Sequence, residues 1–158
     1  MKWLLTISLI VLTAQLSCAQ VKNWRFDQLD SLQKVEARDV MVFLTADWCK
    51  YCKTMERKVF SDQSVGEKIN DDYWFIQFNG ESQEIITFRG EEYNFRPTGL
   101  DTGVHELAET IASVDGEVSY PTLVVIQPSG DITFQHGGFL NKKSMVMILD
   151  QLALAAKY

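Results

Sequence analysis

The chain predicts an α/β domain in which a mixed central sheet carries helices on both faces. Three observations lead there. Two apolar runs, residues 40–44 and 73–78, are short and rich in β-formers. They read as strands buried on both faces. Segments with apolar residues at helical spacing alternate with them, which places helices against a sheet. A third apolar run, residues 122–127, meets residues 132–135 across the turn Pro128-Ser129-Gly130-Asp131. So tight a turn makes that pair antiparallel, and the sheet mixed.

Taken in order, the chain opens with Lys2 as its one early charge, then an uncharged stretch over residues 4–16, then Ser17-Cys18-Ala19. A basic start, a short apolar stretch and a small-residue exit predict a secretory signal peptide over residues 1–19, cleaved after Ala19. The apolar part is short for a membrane span. Lipid attachment at Cys18 is the alternative, and Gln15 stands where its signal wants an apolar residue. Cleavage leaves one domain, residues 20–158, in the periplasm or secreted.

A first helix is expected over residues 27–38, with Asp27 as cap and Phe26, Leu29, Leu32 and Val35 as its apolar stripe. The strand at 40–44 follows. Ala46-Asp47-Trp48 then turns the chain into a helix at Cys49, with Cys52, Met55 and Val59 inward. Ser61-Asp62 opens another helical stretch to about residue 70, and the strand at 73–78 follows. Residues 80–103 are less regular and read as an insertion. Within it, segments 84–88 and 91–95, joined by Arg89-Gly90, suggest a hairpin. Residues 104–113 read as a helix with Leu107 and Ile111 on one face. After the antiparallel pair, Gly137-Gly138 breaks the chain and Asn141 caps a last helix carrying Met145, Ile148, Leu149 and Leu152.

Composition narrows the function. The 158 residues are 46% hydrophobic and 23% charged, with a formal net charge of -6. That is too apolar for a disordered chain. An acidic chain without a basic run is a poor nucleic-acid binder. Losing residues 1–19 removes one Lys and no acid, so the mature charge is -7. Of the three cysteines only Cys49 and Cys52 remain. In an oxidising compartment a pair this close closes into a disulfide unless something reduces it.

That pair carries the chemistry. In Trp48-Cys49-Lys50-Tyr51-Cys52-Lys53 the two cysteines share one helix face. At the helix start the free N–H groups and the dipole favour a Cys49 thiolate, and Lys50 and Lys53 add positive charge. Cys49 is therefore the expected exposed nucleophile, and Cys52, facing the core, the resolving thiol. Two other uses of the pair stand beside this one. Half of a zinc site would need His105 and His136, which lie far off in sequence. A structural disulfide would close a loop too small to stabilise much. Trp48 is expected to pack near the disulfide and shield it. Trp24, Trp74, Phe75 and Phe78 read as packing residues.

Residues 40–58, a strand leading into Trp-Cys-x-x-Cys and a helix, resemble the thioredoxin-like family. So do Tyr120-Pro121-Thr122, the family's cis-proline loop, and Gly130 and Gly138. Ala46-Asp47-Trp48-Cys49 with Cys52-Lys53 is most similar to the periplasmic C-terminal domain of the transmembrane thiol–disulfide interchange proteins. The resemblance implies a thioredoxin fold, a redox-active Cys49–Cys52 disulfide, a cis Pro121 against it, and a Tyr120 backbone available to a substrate strand. It also shows departures. Phe43 stands where many members carry a buried Asp, so the proton of the resolving cysteine needs another acceptor. Glu56, four residues after Cys52, is the candidate; its other reading is a surface acid paired with Lys53.

The expected function is that of an exported, monomeric oxidoreductase which reduces or exchanges protein disulfides. It needs no organic cofactor and no metal. Its electrons would come from a membrane or periplasmic thiol protein. The alternative is a thioredoxin-like assembly factor or metallochaperone using the cysteines as ligands, with His105 or His136 as the third.

Overall fold

The structure, a computed structural model, describes residues 20–114 and 116–156; the expected signal peptide and Cys18 lie outside the described residues. A 3-10 turn at Phe26–Gln28 leads into α1 (Leu29–Val35) and then β1 (Asp39–Thr45). Asp27 does not cap this helix as expected. Its carboxylate pairs with Arg25, and Gln28 Oε1 takes the Arg25 N–H at 3.0 Å. The helix also stops short of residue 38, because Gln33 bonds both the N–H and the C=O of Arg38 and turns the chain into the strand.

Strand β1 shows why its run is apolar throughout. Met41 and Phe43 enter one core cluster, and Val40, Val42 and Leu44 enter another on the opposite face. It pairs in parallel with β2 (Tyr73–Asn79) and antiparallel with β9 (Thr122–Ile126), which pairs with β10 (Ile132–Gly137). The sheet order is β10-β9-β1-β2, a mixed sheet as expected.

On one face lie α2 (Lys50–Met55), α3 (Gln63–Asp72) and α5 (Lys142–Ala155). Met55, Ile69, Met145 and Leu149 from these helices pack with both cysteines. On the other lie α1 and α4 (Glu106–Ala112), through Leu29, Leu107 and Ile111. Helix α2 continues into a π-helical turn at Glu56–Phe60. The wider turn lets the adjacent Val59 and Phe60 both face inward. Phe60 then stacks on Phe43 at 4.6 Å and on Phe75 at 5.1 Å.

The stretch expected as one hairpin holds two. β3 (Ile86–Phe88) pairs with β4 (Glu91–Tyr93), and β5 (Phe95–Pro97) with β6 (Gly103–His105). Arg89 and Gly90, both at positive φ, make the first turn. The Arg89 guanidinium reaches Pro128 O at 2.8 Å and so ties the hairpin to the β9–β10 turn. Residue 104, expected to begin a helix, is strand. The helix starts two residues later, where His105 Nδ1 accepts the Leu107 N–H at 3.1 Å. A third pair, β7 (Ser113–Val114) with β8 (Glu117–Val118), was not expected. Among the described residues no helix is long and apolar enough to cross a membrane.

Candidate functional site

The site forms where β1 ends. Cys49 N–H closes a turn onto Ala46 O at 3.0 Å, and Cys49 becomes the cap residue of α2. Its Sγ accepts the Cys52 N–H at 3.1 Å and is bonded to Cys52 Sγ, with the Cα atoms 5.3 Å apart. Both cysteines are shielded, Cys49 3% and Cys52 1% exposed, where Cys49 was expected to be open. What separates them is backbone position: Cys49 sits at the helix mouth, and Cys52 lies inside its first turn.

The loop before β9 reaches the site through Tyr120, which meets Trp48. The Tyr120–Pro121 bond is cis, and Pro121 O accepts the Gly138 N–H at 2.7 Å. Thr122 is buried and its Oγ1 donates to Ser119 O at 2.8 Å, holding the loop closed. Tyr120 packs against the cluster that contains both cysteines. Its ring fills the place where a side chain on Gly80 would be, with Oη 2.6 Å from that Cβ position. Burial, and then the Glu81 charge, push its phenol up to about 12.

Trp48, expected to pack near the disulfide and shield it, stands largely in solvent. It is 64% exposed and meets Tyr120 edge-on at 5.7 Å, while its Nε1 donates to both carboxylate oxygens of Glu81 at 3.0 and 3.1 Å. Glu81 in turn is placed by Asn79, whose Oδ1 takes the Glu81 N–H and whose Nδ2 reaches Asp47. Sequence reasoning missed Glu81. Gly80 marks a turn there, but nothing local ties the acid to a tryptophan 33 residues earlier. It also missed the exposed pair Tyr51 and Phe139, whose rings lie 5.9 Å apart.

Glu56 begins the π-helical turn that continues α2. Its Oε1 accepts from Gln77 Nε2 at 2.9 Å, on the side of β2, and the bond is not to Lys53. On β1, Phe43 is wholly buried in the same cluster as the cysteines, its ring against Phe60. His105 is also spent elsewhere. With Nδ1 accepting from Leu107, its Nε2 donates to Glu84 O at 3.0 Å, and Phe78 lies against its ring. His136 is on β10, opposite Leu123. Among the described residues no three His, Cys, Asp or Glu side chains are grouped to hold a metal.

Against known proteins, the thioredoxin-like domain family matches residues 26–153. No curated protein matches the sequence. Among solved structures, a thioredoxin from Thermus thermophilus is similar with a TM-score of 0.59 at 18% identity, covering 85% of this chain and 88% of that one. The oxidoreductase DsbH is similar with a TM-score of 0.59 at 14% identity, covering 88% of each chain. The reduced C-terminal domain of DsbD from Neisseria meningitidis is similar with a TM-score of 0.51 at 15% identity, covering 79% of this chain and 90% of that one.

Proposed function

The chain belongs to the thioredoxin-like domain family, and on that premise we propose that it is an exported oxidoreductase that reduces or exchanges protein disulfides. The observation that carries this reading is the Cys49–Cys52 disulfide at the mouth of α2, its outer sulfur already accepting a helix N–H. In the reduced protein that N–H and the helix dipole stabilise a Cys49 thiolate.

The thiolate attacks one sulfur of a substrate disulfide. A Cys49–substrate bond forms, the substrate S–S bond breaks, and the first substrate thiolate leaves. Cys52, deprotonated, then attacks Cys49 Sγ, closes the Cys49–Cys52 bond and expels the second thiolate. Two electrons pass from the pair to the substrate. A second thiol protein, on the membrane or beside it, returns them by the same exchange in reverse. The Tyr120 backbone receives the substrate strand, with Pro121 and Thr122 setting its position. Export follows from the basic, apolar and small-residue order of residues 1–19, and the protein from its natural host should have the mass of residues 20–158 with no acyl chain on Cys18.

Substrate trapping tests the reading. Cys52→Ser should accumulate substrate proteins as mixed disulfides on Cys49, released by a small thiol. Cys49→Ser should accumulate few. Trapping by Cys49→Ser instead, or by neither variant, contradicts the mechanism.

A further inference from the structure

A cavity of about 420 Å³ opens between the loop before β9 and the insertion. Glu81 and Tyr120 line it, and both touch Trp48, the residue before Cys49; Tyr120 also packs on the cluster that holds both cysteines. Its far walls come from the β5–β6 turn, with Thr98 and Thr102, from α4, with Glu109, and from β8, with Glu117. The groove thus borders the residue that precedes the redox pair.

Its charge is one-sided. Glu109 is already held by the Arg96 guanidinium, which meets both carboxylate oxygens. Glu81 is bonded to an indole N–H, which brings no charge of its own. Among the described residues neither Glu81 nor Glu117 has an ion-pair partner. The Thr98 and Thr102 hydroxyls supply further acceptors. A volume of this size takes a long side chain with its polar head. Two carboxylates around it favour a guanidinium or ammonium and repel an anion. The Arg96–Glu109 fork shows that this wall accommodates a guanidinium.

We propose that this groove is the specificity site for the partner protein, seating an arginine or lysine that flanks the partner's reactive cysteine. The proposal rests on the oxidoreductase reading. It deepens that reading by naming the substrate class: cationic cysteine-flanking segments, in preference to anionic thiol compounds such as glutathione. An extended segment that meets Cys49 beside Tyr120 advances about 3.3 Å per residue. Residues flanking the cysteine can therefore reach past Trp48 to Glu81, which lines the groove.

The test uses residues 20–158 and three disulfide-linked peptides identical except for Arg, Gln or Glu beside the cysteine. The Arg peptide should be reduced about three- to tenfold faster in kcat/KM than the Gln peptide, and the Glu peptide slower than Gln. The preference should shrink as ionic strength rises from about 0.01 M to about 1 M, where the screening length falls from roughly 30 to 3 Å. Glu117→Gln, on an exposed hairpin, should weaken the Arg preference and leave the Gln peptide unchanged. Equal rates for Arg and Gln peptides, both reduced, overturn the groove and leave the oxidoreductase reading intact. An Arg preference that survives Glu117→Gln also overturns it. Reduction of none of the three peptides defeats both.

Discussion

Cys52 is packed among Met55, Val59 and the other apolar residues of its cluster, and Phe43, in the same cluster, is no proton acceptor. Its proton must leave toward the surface. We propose Glu56 as the acceptor, one turn along the helix, with Gln77 Nε2 fixing its carboxylate. Resolution of the mixed disulfide then depends on Glu56, and the first attack by Cys49 does not. Glu56→Gln should slow release of a trapped substrate by about 10²-fold or less and leave the alkylation rate of Cys49 nearly unchanged. Identical release across neutral pH would show that the proton passes straight to water. The cysteines were legible in the sequence because their spacing alone states their chemistry. The Trp48–Glu81 bond was not, since it joins a helix entrance to the end of a neighbouring strand, a distance that only the sheet register closes.

Helix ends show which local signals survive folding. Asn141 and Asp62 cap α5 and α3 as side-chain chemistry suggests, through Ser144 N–H and Ser64 N–H. Asp27 was an equally plausible cap and lost, because Arg25 beside it offered a charged partner. The short strands at 95–97, 103–105, 113–114 and 117–118 escaped notice because two or three residues carry no period. Asp62 also joins two elements: Lys142 Nζ lies 2.5 Å from its carboxylate. That contact, with the Ser64 bonds, holds the Asp62 carboxyl down at about 2, from 3.8. A carboxyl depressed in the fold stabilises it above its unfolded value, and the contribution fades as pH falls through the folded value. Lys142→Gln should therefore lower the thermal midpoint at about pH 6, and the gap to the parent protein should close between about pH 4 and pH 2. A gap of the same size at both ends would mean that Lys142 acts through packing.

Across the whole molecule, two cores divide the work. The α1/α4 face is apolar packing that backs the sheet, and the α2/α3/α5 face holds the disulfide within its cluster. Fold class was readable because β1 and β9 are apolar on both faces, which requires helices above and below. The insertion was readable only as an irregularity, since its hairpins owe their shape to ties such as Arg89 with Pro128. The central claim is that this buried pair cycles between disulfide and dithiol and is not a fixed staple. Residues 20–158 equilibrated in glutathione and dithiol buffers of stepped potential, then alkylated and weighed, test it most directly. The account predicts one two-electron transition between about -300 and -120 mV, with Cys49 and Cys52 gaining their labels together. A pair still oxidised at potentials more reducing than about -300 mV would contradict it, as would two thiols that take up label without ever pairing.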